Sequence, residues 1–249
     1  MKSKFWLVTP VFCLLTLTAA ASAAEIRVLS PIALKPLFES TGAELERTSG
    51  HKVIAIWGES GGIRSDIEKG EPFDIAVLTL AFVDDLIKAG RLDASTRTPL
   101  ARSGIGVAIR KGALKPDVST VDAFKHTLLN AQSIGFVAQS ASSRYLESLF
   151  ARLGIADEIK GKLRPLAGPA SPYVAKGDPE LALTQASTII PFEGVDYAGP
   201  LPPDIQLYTV FAAAAAPTSN PEAVRALLKL LSSAENAPLL QKIGLEPAN

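Results

Sequence analysis

The sequence predicts an α/β chain made of two strand–helix units, each a mixed, mostly parallel sheet flanked by helices. Three observations carry this. Short apolar runs of strand length alternate with helical patterns from Ile26 onward, the alternation restarts near Arg102, and 47% of the 249 residues are hydrophobic. Strand–helix alternation at this spacing implies right-handed βαβ units and a sheet covered on both faces. An apolar fraction this high excludes disorder, and Gly 18, Pro 18 and Cys 1 exclude collagen-like and disulfide-framework classes.

Residues 1–24 read as a signal peptide, with Lys2 and Lys4 as its positive start and Phe5–Thr18 as its apolar stretch. The small residues Ala19–Ala24 supply a cleavage site after Ala23 or Ala24. That apolar stretch is too short to cross a ~30 Å hydrocarbon core as a helix. Export to a periplasm follows, and cleavage removes both Cys13 and Met1, the sole cysteine and the sole methionine. The mature chain then has neither disulfide nor thiol nucleophile. Equal numbers of basic and acidic side chains leave no basic field to recruit nucleic acid. His51 and His126, the two histidines, are too far apart for a zinc site of usual spacing, so neither metal nor cofactor is expected. A serine hydrolase is weakly supported, because G-x-S-x-G is absent.

The elements follow in order. Ile26–Leu29 reads as a buried strand, followed by a helix over 35–49. Val53–Trp57 is a second strand, then a turn and a helix near 63–69. Phe73–Leu78 is a third strand, with a helix over 81–89 stopped by Gly90. Past Arg102, Gly104–Ile109 reads as a strand, and Ser119 or Thr120 caps a helix through Leu129. Ile134–Ala138 is another strand, before a serine-rich turn and a helix reaching Leu153 and stopped by Gly154. Leu207–Ala216 reads as a long strand, Pro221 opens a helix through Leu231, and a short helix surrounds Pro238–Ile243. Pro200, Pro202 and Pro203 mark a loop.

Serines recur where strands hand over to helices: Ser30, Ser60 before Gly61-Gly62, and Ser140, Ser142 and Ser143. In open α/β sheets these strand ends border the ligand crevice, and amides at helix starts make anion sites without a lysine. The plain alternative is that each serine is only an N-cap.

Several segments together resemble the periplasmic molybdate-binding proteins of ABC transporters, within the type II solute-binding fold. They are Trp57-Gly58-Glu59-Ser60-Gly61-Gly62-Ile63, Glu71-Pro72-Phe73-Asp74-Ile75-Ala76-Val77 and Ala141-Ser142-Ser143-Arg144-Tyr145 leading to Leu153-Gly154-Ile155. Gly194-Val195-Asp196, Gly199-Pro200-Leu201-Pro202 and the closing Gly244-Leu245-Glu246-Pro247 complete the set. The resemblance implies two lobes joined by two crossing strands and closing on ligand, with lobe I at 25–101 and 196–249 and lobe II at 102–195. It implies Ser30, Ser60, Gly61, Ser142 and Ser143 as ligand contacts, with Tyr145 following the second-lobe turn. It further implies a monomer that delivers molybdate or tungstate to a permease in the inner membrane.

The sequence departs from that pattern in Glu59, where the family offers a second serine, and in Arg144, where it carries small or apolar residues. Arg64 and Arg144 suit a di- or tricarboxylate, because guanidinium forks match carboxylates bidentately. Aconitate isomerases are similar to the same family. The second expectation is therefore an enzyme that moves a double bond within a tricarboxylate, with Glu59 as base, Arg64 and Arg144 as clamps and Tyr145 as proton donor.

Overall fold

A computed structural model describes residues 23–138 and 141–248. The expected signal peptide and Ser140 fall almost wholly or wholly outside these residues. The chain opens with β1 (Glu25–Pro31), α1 (Lys35–Ser49), β2 (Lys52–Gly58), α2 (Ser60–Glu68), β3 (Ile75–Thr79) and α3 (Leu80–Lys88). The long β4 (Thr98–Arg110) follows, then α4 (Val121–Asn130), β5 (Ile134–Val137), α5 (Ala141–Arg152), α6 (Ala156–Ile159) and β6 (Leu163–Leu166). Next come α7 (Ser171–Ala175), β7 (Leu181–Gln185), α8 (Ala186–Ile189), β8 (Val195–Pro200) and β9 (Tyr208–Ala215). The chain closes with α9 (Pro221–Leu231), α10 (Ala237–Lys242) and β10 (Glu246–Pro247).

The main strand order is β2-β1-β3-β9-β4-β7-β5-β6, with β8 and β10 also pairing to β4. Each half is mixed. β1, β2 and β3 run parallel while β9 opposes β3, and β5, β6 and β7 run parallel while β4 opposes β7. Two apolar layers cover the first sheet. Val28, Phe38, Val77, Phe211 and Leu227 pack on one face, and Leu29, Ile63, Leu78, Leu86 and Ala212 on the other. The second sheet is likewise covered on both faces, by a layer around Ile105, Phe124, Leu149 and Leu183 and by one around Ala108, Val174 and Ala182. Opposite faces of one strand feed opposite layers, as the two-residue period of a strand requires.

β4 joins the halves. Its residues up to Gly104 pair with β9, and those from Ile105 pair with β7. The return path changes sheets between Pro200, where β8 still pairs with Gly106, and Tyr208, which pairs with Gly104. Gly104 and Gly106 let aromatic rings lie on this crossing. A Cβ at Gly106 would stand 2.3 Å from the Tyr197 ring, and one at Gly104 3.2 Å from that of Tyr208. Among the described residues no helix is long and apolar enough to cross a membrane.

Candidate anion site between the two sheets

The topology turns the carboxyl ends of five strands toward one stretch of β4. Pro31 at the end of β1 pairs with Gly58 at the end of β2, and β3 ends beside them at Thr79. In the second sheet Gln185, the last residue of β7, pairs with Ile105, and β5 runs parallel to β7. Both groups of strands therefore point toward the stretch of β4 where it passes from one sheet to the other. The helices that follow these strands begin on that same edge.

α2 begins at Ser60 with its amino end open. Glu59 takes the N-cap position in extended backbone but makes no side-chain capping bond. Its carbonyl accepts from Ile63 N at 2.9 Å, which closes the first turn. The amides of Ser60, Gly61 and Gly62 then have no intrahelical acceptor, as at any helix start. Gly61 and Gly62 are exposed, and a Cβ on either would meet nothing within 4 Å. α3 starts on this edge too, with Thr79 at its N-cap and again no side-chain cap. By contrast α9, which starts at the far edge, is capped by Asn220 and has Glu222 in its first turn. Neither α2, α3 nor α5 has an acidic residue in its first turn.

Ser30 is fully buried near the end of β1, and among the described residues its hydroxyl reaches only the adjacent Pro31 carbonyl, at 3.4 Å. In the first turn of α5, Ser142 is half-buried, Ser143 is buried and Arg144 is exposed. Arg144 has neither an ion-pair nor a hydrogen-bond partner among the described residues. A cation in a helix's first turn opposes the macrodipole by about 0.3–1 kcal/mol, so its position is unfavourable until an anion is near. Glu59, at the start of α2, is exposed as well.

The two remaining candidates are occupied elsewhere. Arg64 donates to Glu68 at 2.9 Å along its own helix, lies 3.4 Å from Asp85 on α3 and stacks on Phe82. The Glu68 hydrogen bond raises the guanidinium's pKa further. Tyr145 donates its hydroxyl to the Ile205 carbonyl at 2.7 Å and receives Arg152 at 3.4 Å. Ser30, Glu59, Ser60 and Gly61 thus lie at the strand ends of the first sheet and Ser142, Ser143 and Arg144 just past those of the second, while the end groups of Arg64 and Tyr145 serve other contacts.

Sequence reading missed the polar ties across the crossing. Gln206 accepts from Ile105 N at 2.8 Å and donates to Ile105 O at 2.9 Å, standing in for a strand partner. Gln185 donates to Thr209 at 2.9 Å, and Ser103 bonds Ser187 at 3.1 Å. Arg102 pairs with Glu246 at 2.8 Å and stacks on Tyr208. These partners lie up to 144 residues apart, and no local pattern signals them. His51 is a buried structural acceptor for Ala24 N, and no group of three or more metal-binding side chains occurs among the described residues.

The chain belongs to the bacterial extracellular solute-binding protein family, which it matches over residues 26–246. It is 33% identical to an aconitate isomerase from a Pseudomonas species, over 93% of this chain and 91% of that one. It is 28% identical to a molybdate-binding protein from Azotobacter vinelandii, over 70% and 69% of the two chains. Among solved structures it superimposes on a domain assigned to substrate binding in a molybdenum ABC transporter from Clostridium difficile. That match has a TM-score of 0.76 at 16% identity, covering 91% of this chain and all of the other. The two-lobed α/β fold expected from the sequence is shared with that structure.

Proposed function

We propose that this protein is an exported anion-binding clamp whose ligand is a small polycarboxylate of the aconitate type, held between the amino ends of α2 and α5. The two sheets act as its jaws, hinged where β4 changes sheets and along 201–207. One observation carries the reading: among the described residues Arg144 is exposed and unpartnered in the first turn of α5, past the strand ends of the second sheet, while α2 opens at those of the first. Open amides suit any anion, but a planar guanidinium adds a bidentate partner for a carboxylate. The nearly full-length likeness to an aconitate isomerase points the same way.

In this reading Glu59 is the base. Its carboxylate takes a proton from the methylene carbon of the tricarboxylate, the double bond shifts by one position, and the proton returns to the former alkene carbon. Atoms and electrons balance without a co-reactant. The amides of Ser60–Gly62 and the Arg144 guanidinium hold the carboxylate on which negative charge develops.

A second reading, capture of molybdate or tungstate for an inner-membrane permease, is favoured by the amides and hydroxyls at this edge, which can satisfy a tetrahedral dianion without a cation. A thermal-shift screen against aconitate isomers, citrate, molybdate, tungstate, sulfate and phosphate separates the two. A ligand at 100 times its dissociation constant stabilises by about 2.7 kcal/mol. Stabilisation by aconitate, with isomerisation followed by NMR, supports the first reading. Stabilisation by molybdate alone, with aconitate unchanged, replaces it with the second.

A further inference from the structure

We propose that Tyr145 is a positioning residue, which fixes the anion-binding first turn of α5 to the chain crossing between the sheets rather than touching the ligand itself. This rests on the anion site proposed above and adds to it the means by which that turn is held.

Three contacts carry the inference. The Tyr145 hydroxyl donates to the Ile205 carbonyl at 2.7 Å, and these residues are 60 positions apart. Arg152, two turns further along α5, donates to the same hydroxyl at 3.4 Å and lies 5.7 Å over the ring. A hydroxyl that accepts from a cation becomes a stronger donor, so the two bonds reinforce each other. Gln206, next to Ile205, then grips both the N–H and the C=O of Ile105 on β4. The path from Ser142 and Ser143 to both crossing segments is therefore continuous: α5, Tyr145, Ile205, Gln206, Ile105. The ring itself packs against the core of the second half, so its place does not depend on the hydroxyl. With its proton already committed, Tyr145 is poorly suited to deliver one to a substrate.

Tyr145→Phe keeps the ring and deletes the tether. Hydrogen–deuterium exchange of the ligand-free protein tests this without any assumption about ligand. Exchange is expected to rise about three- to tenfold in peptides covering both 141–148 and 201–207, the fold-change that matches one net hydrogen bond. Unchanged exchange in either segment overturns the proposal. Where the wild type binds aconitate, citrate and molybdate, the variant should weaken all of them by one common factor. A loss confined to one ligand would show direct contact, and a fall in kcat at constant KM would show proton transfer; either result also overturns it. If the wild type binds none of these anions, the anion-site reading fails while the exchange result still decides the tether.

Discussion

At the scale of single residues, Arg144 and Glu59 separate the two ligand classes. Among the described residues Arg144 has no partner to lose, and its charge opposes the helix dipole, so Arg144→Ala should slightly raise the melting temperature of the ligand-free protein. The same change should weaken a bound tricarboxylate by about 2–5 kcal/mol, because a desolvated carboxylate is left unpaired. Calorimetry measures both, and unaltered aconitate affinity would return Arg144 to the solvated surface. Glu59→Gln should abolish isomerisation while sparing binding, since only proton transfer is removed. Steady-state kinetics beside a direct binding measurement decides this. The residue types at the edge were legible because serine and glycine after a strand advertise open amides. The pairing of Arg64 with Glu68 and Asp85 was not: an i,i+4 partner can be read from sequence, but the choice between it and the crevice depends on where α3 lies.

At the scale of elements, α2 is the informative one. The sequence suggests a helix starting near Ile63, because Gly61 and Gly62 read as a turn; glycine inside a helix costs about 0.5–1 kcal/mol. In the structure the helix starts at Ser60 and includes both glycines. Two glycines in a first turn leave its amides uncovered, which fits an anion seat and gives the otherwise costly pair a reason. Gly61→Asp therefore has effects of opposite sign. A carboxylate in the first turn stabilises the ligand-free helix by about 0.3–1 kcal/mol, and a Cβ there has open space. The same charge should repel the anion and sharply weaken binding. A thermal melt paired with a titration tests both halves, and retained affinity would remove α2 from the site. Other elements were hidden for simple reasons. α7, β7, α8 and β8 are four to six residues long, too short to display a period. β4 starts at Thr98, well before the expected Gly104, because Pro99 masks its first residues, and its ladder with β9 is irregular there.

At the scale of the whole molecule, the crossing is where stability and motion meet. Tyr197 lies against Gly106, so Gly106→Ala should overpack the crossing and destabilise by about 1–3 kcal/mol. Burial, with Glu246 and Tyr208 nearby, pushes the Tyr197 phenol up to about 12. A phenol whose folded pKa exceeds its unfolded value adds stability that is full below about pH 10 and lost as pH rises toward 12. Tyr197→Phe should therefore flatten the fall in melting temperature over that window; an unchanged slope would assign the alkaline loss to other groups. The fold class was readable because apolar periodicity is local, and the ties of the crossing were not because each joins residues distant in sequence. In the proposed reading one small anion is held by the amino ends of α2 and α5 together. Amide chemical shifts of the mature chain titrated with trans-aconitate test it most directly. Saturable shifts are expected at Ser60, Gly61 and Gly62 and, at the same ligand concentrations, at Ser142, Ser143 and Arg144. Saturable shifts confined to one of the two helices, or lying wholly elsewhere, would contradict it.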